Sequence, residues 1–237
     1  MEKWSDIKPW RNSKRKELLA MRQHASKDAR RLWNERITKL LLQGFPTING
    51  LAVGFCWPYK DEFDARYVIR NWRMAGMKAA LPEVVASKQP LQFRTWWPGA
   101  QMTAGVYGIP FPAGTDVVAP DIAIVPMNGF DEKGYRLGYG GGYFDRTLAA
   151  AAPRPLAIGV SFEILRLSTI YPQPHDIPMD FVVTEAAIHI CNDGQIAKID
   201  PAEAREIAES MLHARHSSQP GVSRRADATT SHPNGGY

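Results

Sequence analysis

Residues 121–146 read DIAIVPMNGFDEKGYRLGYGGGYFDR and join an apolar run, a glycine-rich loop and the beginning of a helix-like run. The run DIAIVP at 121–126 is short enough for a buried strand. A strand that leads through a loop into a helix is typical of a parallel sheet flanked by helices. Ligands of such sheets bind beyond the carboxyl ends of the strands. We therefore expect this loop to line a ligand site.

The loop itself has the composition of a phosphate-binding segment. Four of the five positions 138–142 are glycine, and glycine lets backbone amides approach a ligand closely. Arg136 can hold a phosphate with two parallel hydrogen bonds, and Asp145 is a suitable ligand for magnesium. Together these residues indicate a site for a phosphorylated nucleotide and its metal. From composition alone, the alternative is a glycine-rich turn between strands.

Two common phosphate-binding patterns are excluded. A Walker loop ends in Gly-Lys-Ser/Thr, and no lysine follows these glycines. A dinucleotide-binding loop requires a third glycine where Tyr143 stands. If the loop binds a nucleotide, it therefore does so in another way.

The rest of the chain alternates helix-like and strand-like segments. We expect helices at 13–24, 27–43 and 64–75, and strands at 51–57, 77–81, 91–96 and 155–160. The alternation predicts a single α/β domain with a mostly parallel central sheet flanked by helices and a ligand site at the strand carboxyl ends. Glu62 follows the strand that ends at Trp57, so we expect it at the same edge as the loop.

Composition indicates an ordinary globular protein of 237 residues, with 44% hydrophobic and 22% charged residues. The charge-free stretch 40–59 is interrupted by Pro46 and Pro58, which excludes one continuous membrane helix. The first ten residues lack the apolar core of a secretory signal. Cys56 and Cys191 lie in apolar runs, as buried thiols do in a reducing compartment. These features predict a soluble, cytoplasmic protein.

The net charge of +5 is concentrated near the N-terminus. Residues 1–36 hold eleven Lys and Arg against five Asp and Glu. Such a segment could bind nucleic acid, a small polyanion such as a triphosphate or a folate with several glutamates, or only solvent. Nucleic-acid binding would favour aromatic side chains clustered among the basic ones, whereas Trp4, Trp10 and Trp33 are scattered. We expect small-molecule ligands, and neither nucleic acid nor membrane.

The run 121–146 resembles the signature of the 5-formyltetrahydrofolate cyclo-ligase family. Members carry a strand ending in Val-Pro, a short acidic turn, and then Arg-Leu-Gly-x-Gly-x-Gly-Tyr-Tyr-Asp. The stretch YPQPHDIPMDFVVTE at 171–185 resembles the second block of the family. The resemblance implies ATP-dependent cyclisation of 5-formyltetrahydrofolate to 5,10-methenyltetrahydrofolate, with release of ADP and phosphate. It implies ATP as co-substrate and Mg²⁺ as cofactor.

The resemblance also implies roles for individual residues. Arg136 and Tyr143 are implied to be catalytic, and Asp145 and Asp180 to bind magnesium. The implied ATP-binding residues are Arg11, Arg15, Arg136, Leu137, Gly138, Tyr139, Gly140, Gly141, Gly142, Tyr143 and Phe144. The implied substrate-binding residues are Trp57, Glu62, Tyr107, Tyr139, Gly140, Gly141, Gly142 and Tyr143.

Several of these positions have a purely structural alternative. Asp145 could be a helix N-cap, Asp180 a carboxylate at a strand edge, and Trp57 a core residue. Arg11 stands where the family usually has lysine, and we interpret His175 and its neighbour Asp176 as a structural turn. A divergent paralogue that binds folate or a nucleotide without this activity is the main alternative function, and a basic nucleic-acid-binding protein is a weaker one.

The chain divides into three predicted parts. Residues 1–196 form the cyclo-ligase domain with its basic N-terminal helices. Residues 197–216 add a C-terminal helix that begins near Pro201. Residues 217–237 contain too few apolar side chains to offset the entropy of ordering and are predicted to be disordered.

Overall fold

A computed structural model describes residues 3–217, so the predicted tail at 217–237 lies almost entirely outside the described residues. Within residues 3–217 the helices are α1 (Trp4–His24), α2 (Lys27–Gly44), α3 (Arg66–Met74), α4 (Tyr143–Ala150) and α5 (Pro201–Ser217). The strands are β1 (Ala52–Gly54), β2 (Lys78–Glu83), β3 (Gln92–Trp96), β4 (Met102–Ala104), β5 (Pro110–Pro112), β6 (Ile122–Pro126), β7 (Phe130–Asp131), β8 (Leu156–Val160), β9 (Arg166–Leu167), β10 (Phe181–Val183), β11 (Ile188–Asn192) and β12 (Gln195–Ile199).

Eight strands of the described chain form one sheet in the order β12-β11-β10-β8-β6-β1-β2-β3. The five central strands, from β10 to β2, are parallel. β3 at one edge, and β11 and β12 at the other, are antiparallel additions. The predicted α/β fold with a mostly parallel sheet is therefore confirmed. None of the helices in the described part combines the length and apolar character that a bilayer span requires.

The central strands are apolar on both faces because helices cover both faces of a parallel sheet. Along β6, Ile122 and Ile124 belong to the large core beneath α2, α3 and α5. Ala123 and Val125 alternate with them and face the smaller core, which contains Leu148 of α4. This period of two follows from the strand geometry and explains why DIAIVP reads as a continuous apolar run.

α1 lies over the loops that follow β1, β6 and β8. Leu18 is buried in the large core and would collide with a side chain at Gly129, in the loop after β6. The sequence predicts this helix only from residue 13, whereas it begins at Trp4 and continues through Pro9. Proline removes one backbone hydrogen bond of the helix. Burial of Ile7 and Arg11 against the rest of the protein accounts for the additional turns.

The sequence does not predict the short strands β4, β5, β7 and β9, the central strand β10, or the edge strands β11 and β12 beside it. β10 has three residues and β7 and β9 have two, which is too short for a periodic pattern. Their pairing depends on neighbours that are distant in the chain: Phe130 of β7 pairs with Arg166 of β9.

The amino ends of the parallel strands are closed by α5. Asp121 and Asp180 each stand just before a strand. Each carboxylate accepts a hydrogen bond from the backbone of the neighbouring strand: Ala52 N donates to Asp121 and Ala157 N to Asp180, both at 2.7 Å. The second oxygen of each carboxylate meets a basic residue near the end of α5. Arg215 Nη2 lies 3.0 Å from Asp180, and His216 Nε2 lies 2.7 Å from Asp121.

We expect Asp180→Asn to lower the stability of the fold. The substitution leaves the guanidinium of Arg215 without its charged partner, and a hydrogen bond to a charged group contributes about 1.5–3 kcal/mol. Thermal unfolding should therefore shift down by a few degrees. Arg215→Gln should cost a similar amount, and the double variant little more than either single one. Glu209→Gln, at an exposed position of the same helix, is the control. Additive losses would contradict this pairing.

Candidate functional site

The glycine-rich loop is shaped by the buried carboxylate of Asp131. Its Oδ1 accepts hydrogen bonds from the amides of Lys133 and Tyr135, both at 3.0 Å. Its Oδ2 accepts one from Ile170 N at 3.0 Å, in the segment that follows β9. Burial raises the pKa of Asp131, and these three amides oppose that shift. The turn before Arg136 is therefore held in place by a carboxylate and not by glycine alone.

Arg136 and Asp145 form a bidentate ion pair across the loop. The two hydrogen bonds measure 3.0 and 2.9 Å, and both side chains are largely buried. Asp145 also accepts from Ile177 N at 3.2 Å. The N-cap of α4 is Gly142, which has a left-handed φ of 63° and no capping side chain. Asp145 is thus not the N-cap, and its carboxylate orients the guanidinium of Arg136.

Arg15 of α1 reaches the loop from the other side. Its Nε donates to the carbonyl of Gly138 at 2.8 Å. Gly140 has a φ of +97°, and a Cβ there would contact the Arg15 guanidinium at 3.4 Å. Glycine is therefore favoured at this position by its conformation, whereas a Cβ would make only an ordinary contact with Arg15. Burial and the neighbouring charge of Arg11 lower the pKa of Arg15, so an anion would be favoured here.

A hydrogen-bonded chain links the loop to the segment after β1. The hydroxyl of Tyr139 donates to Glu62 Oε1 at 2.7 Å, and Tyr59 N donates to Glu62 Oε2 at 3.2 Å. Arg22 of α1 donates to the Tyr139 hydroxyl at 2.7 Å and to the carbonyl of Lys60 at 2.9 Å. Burial raises the pKa of Glu62, against the hydrogen bond from Tyr139 and the charge of Arg22. Burial also raises the pKa of Tyr139.

The aromatic residues predicted for the site are distributed around this chain. Tyr143 begins α4 and packs beneath Gly141, where a Cβ would meet its ring at 2.8 Å. Phe144 lies beneath the Arg136 guanidinium, 5.5 Å from its ring centroid. Trp57 is partly buried, with its ring against Trp96 and 4.8 Å from the Arg66 guanidinium. This position of Trp57 is compatible both with the predicted contact to the substrate and with the alternative role in packing.

Tyr107 is not part of the hydrogen-bonded chain that joins the loop to Glu62. Tyr107 lies in the turn of the β4–β5 hairpin, where its side chain is 70% exposed and its φ is 61°. The sequence pattern YGIPFP does not reveal that this segment forms a short hairpin of its own. The contact of Tyr107 with the substrate stays a prediction.

Arg11 occupies a structural position in place of the predicted ATP contact. Its Nε donates to the carbonyl of Ile170 and its Nη2 to that of Tyr171, both at 2.9 Å. Asp176 accepts from Nη1 and from Nη2 and forms an ion pair with Arg11. These contacts use the donors that a phosphate would need and fasten α1 to the 170–176 segment. The predicted structural turn at Asp176 agrees with its hydrogen bond to Gln173 O.

The two aspartates predicted to share magnesium have no protein partner in common. Asp145 binds Arg136 at the carboxyl side of the sheet, whereas Asp180 binds Arg215, Arg154 and Ala157 N at the amino end of β10. No group of three or more His, Cys, Asp or Glu side chains suited to one metal ion occurs among residues 3–217. The surroundings of Asp180 are those of a carboxylate at the edge of a strand, its structural alternative. The described residues do not fit a magnesium site made only of protein ligands.

The sequence analysis missed two buried residues of this site besides Asp131. Arg22 is 1% exposed, and Asn128 donates from its side chain to the carbonyl of Arg15 at 3.0 Å. Arg11, Arg15 and Arg22 recur with Leu18 at the helical spacing of four, three and four residues. This stripe could have revealed Arg22 in the sequence, because a helix face that packs against the protein rarely carries three arginines.

Comparison with known proteins agrees with this geometry. The sequence pattern of the 5-formyltetrahydrofolate cyclo-ligase family matches residues 7–185. A 5-formyltetrahydrofolate cyclo-ligase of Haemophilus influenzae is 24% identical over 172 residues, which cover 70% of this chain and 88% of that protein. One from Mycolicibacterium smegmatis is 34% identical over 100 residues, or 40% of this chain, and the match spans about half (51%) of that relative's length.

A solved structure shares the fold. The NMR structure of Aquifex aeolicus 5,10-methenyltetrahydrofolate synthetase superposes with a TM-score of 0.66 at 27% identity, covering 80% of this chain and 96% of that one. The matched residues of the family pattern include the glycine-rich loop, Glu62 and the arginine stripe of α1. Because this match extends over most of the sequence, the chain belongs to the 5-formyltetrahydrofolate cyclo-ligase family.

Proposed function

We propose that the protein converts 5-formyltetrahydrofolate and ATP to 5,10-methenyltetrahydrofolate, ADP and phosphate. The observation that carries this proposal is the hydrogen bond from Tyr139 to Glu62. It joins a glycine-rich loop suited to phosphate with a buried carboxylate suited to the N–H donors of a pterin. A single edge of the sheet thus offers complementary sites for both substrates of the reaction.

The chemistry requires a phosphoryl transfer followed by ring closure. The formyl oxygen attacks the γ-phosphorus of ATP, and the bond to the bridging oxygen of ADP breaks. The neighbouring exocyclic nitrogen then attacks the activated formyl carbon, loses its proton, and phosphate departs as the C–N bond forms. No protein nucleophile is needed, because phosphoryl transfer depends mainly on positioning and on neutralisation of charge.

The residues of the loop are suited to this task. Arg136 is held by Asp145 in one orientation and offers a fixed positive charge at the phosphates, with Arg15 on the opposite side. The amides of residues 137–144 add uncharged donors. Tyr143, beneath Gly141, supports the loop where the two substrates meet. On these grounds we assign Arg136 and Tyr143 as the catalytic residues, which contact the reacting groups.

Glu62 and Trp57 are the proposed folate contacts. Each carboxylate oxygen of Glu62 accepts one hydrogen bond from the protein and can accept another from the ligand. A buried carboxylate discriminates strongly against ligands that lack the matching donors. The indole of Trp57 offers a flat apolar surface to the pterin.

For magnesium we propose a site made chiefly by the phosphates of ATP, with Asp145 as the one carboxylate of the loop. Mg²⁺ commonly keeps several waters and binds through one or two carboxylates plus substrate phosphates. When bound, the ion supplies neutralisation of charge on the transferring phosphoryl group. Asp180 is left out of this proposal because its partners are Ala157 N and two arginines.

We also propose a cytoplasmic location and small-molecule partners, including folates with several glutamates. Cys56 and Cys191 are free thiols, as in a reducing compartment. Arg11 and Arg22 of the basic N-terminal segment are buried against the protein, which leaves less exposed positive charge for nucleic acid than the sequence indicates.

The direct test mixes the purified protein with 5-formyltetrahydrofolate, ATP and Mg²⁺ and follows the absorbance of 5,10-methenyltetrahydrofolate. We expect product to form only when ATP is present, with one phosphate released per turnover. Binding of folate without turnover would instead support the divergent paralogue.

Asp145→Asn should raise the KM for ATP at least tenfold, because it removes the carboxylate that orients Arg136 and the proposed magnesium ligand. Asp180→Asn is the matched control, measured below its own unfolding temperature. The control should keep the KM for ATP and the dependence on magnesium of the unaltered protein. Equal effects of the two substitutions would contradict the distinction between the aspartates.

Glu62→Gln should raise the KM for 5-formyltetrahydrofolate by at least tenfold while changing the KM for ATP much less. The amide is close in size to the carboxylate, but it lacks the charge and presents donors to the donors of the pterin. Steady-state kinetics with each substrate varied in turn measures the difference. Parallel losses for both substrates would show that the substitution disturbs the whole site.

A further inference from the structure

Arg22 is a buried charge whose position no substrate contact explains. Its side chain is 1% exposed, and Nε and Nη2 donate to Lys60 O and to the Tyr139 hydroxyl. Nη1 is also buried and has no hydrogen-bond partner among residues 3–217. Burying a guanidinium with an unused donor opposes folding. Stability alone therefore favours an apolar side chain here, and the arginine calls for a functional reason.

The hydrogen bonds around Arg22 have a defined polarity. A guanidinium can only donate, so the Tyr139 oxygen accepts from Arg22 and its single proton is directed to Glu62. The carboxylate of Glu62 then accepts from Tyr139 on one oxygen and from Tyr59 N on the other. Arg22 thus fixes the orientation of the Tyr139 hydroxyl, and through it the position of Glu62.

We propose that Arg22 is a positioning residue that couples the glycine-rich loop to Glu62, so that ATP and the folate strengthen each other's binding. The inference rests on the proposed function, since it takes the loop as the ATP site and Glu62 as the pterin contact. Tyr139 belongs to the loop proposed to bind ATP, and its hydroxyl contacts Glu62 in the loop conformation seen here. Binding of one substrate therefore favours the conformation that the other requires, and the coupling is reciprocal.

The charge of Arg22 has a second effect on Glu62. Burial raises the pKa of Glu62, while Tyr139 and Arg22 act in the opposite direction and favour the ionised form that a pterin donor needs. Other titratable groups around Glu62 are Cys56, on which Arg136 also acts, and the neighbours Tyr59, Lys60 and Asp61, the last of which pairs with Arg30. Lys60 and Asp61 are exposed, and Cys56 has a raised pKa, so it stays neutral. Arg136 is shared with Asp145. Arg22 is therefore the cation joined to Glu62 through one hydroxyl.

The test is a double-mutant cycle on Arg22→Met and Tyr139→Phe. The affinity for 5-formyltetrahydrofolate is measured by calorimetry with and without a non-hydrolysable ATP analogue. In the unaltered protein we expect the analogue to tighten folate binding at least fivefold. Each single substitution should abolish most of that gain, and the double variant should lose no more than either single one, because both break the same link. Tyr139 is part-exposed, so Tyr139→Phe tests the link even if Arg22→Met fails to fold.

Two further variants separate charge from geometry. Arg22→Lys retains the charge but cannot span Lys60 O and the Tyr139 hydroxyl with one planar group. In this variant, folate affinity should fall at low pH over the same range as in the unaltered protein. The gain in folate affinity on adding the ATP analogue should be smaller. In Arg22→Met the fall in affinity should move to higher pH, since the pKa of Glu62 rises when the positive charge is removed. Lys16→Met, at an exposed position of α1, controls for the loss of one charge from that helix.

The outcomes distinguish this inference from the function on which it rests. If the unaltered protein neither binds nor converts 5-formyltetrahydrofolate, the proposed function fails. If it does, but ATP leaves folate affinity unchanged, or the effects of Arg22→Met and Tyr139→Phe are additive, the coupling role of Arg22 is overturned and the function stands.

Discussion

Buried guanidinium groups on one face of α1 hold together the loops on which the site depends. Arg11 binds the 170–176 segment, Arg15 binds the glycine-rich loop at Gly138, and Arg22 binds that loop at Tyr139 and the segment after β1 at Lys60. A buried charge is tolerated only when it is paired or hydrogen-bonded. The loops must therefore present carbonyl and carboxylate oxygens at fixed positions, and this requirement defines their mutual arrangement.

The parallel sheet determines where this requirement can be met. The carboxyl ends of β1, β6 and β8 lie side by side, so the loops that follow them emerge within reach of a single helix. Positive charge from α1 and from Arg136 converges there, together with the amides of the glycine-rich loop. A phosphate-bearing substrate and a neutral ring system can thus be held next to each other without any nucleophile from the protein. Phosphoryl transfer to a formyl oxygen requires this kind of environment.

The opposite end of the sheet shows how position decides the role of a carboxylate. Asp121 and Asp180 precede strands, accept an amide from the neighbouring strand and bind the basic end of α5. Asp145 follows the glycine-rich loop and faces Arg136. Chemically identical side chains therefore bind the end of α5 at the amino ends of the strands and, near the carboxyl ends, orient Arg136, the arginine proposed to bind the phosphates. The partners also differ, since Asp145 pairs with Arg136, whereas Asp180 pairs with Arg215 and Asp121 with His216.

The sequence alone determined the class of fold, the glycine-rich loop and the family, because these depend on local patterns: a short apolar run, glycines at fixed spacing, and helical periodicity. It also indicated that Glu62 and the loop share one edge. The tertiary structure decided which charges meet. The pairings of Arg11 with Asp176 and of Arg22 with Tyr139 join residues more than one hundred positions apart, and Arg215 pairs with Asp180 across 35 positions. Such contacts leave no local pattern in the sequence, since their free energy arises only when burial removes both partners from water.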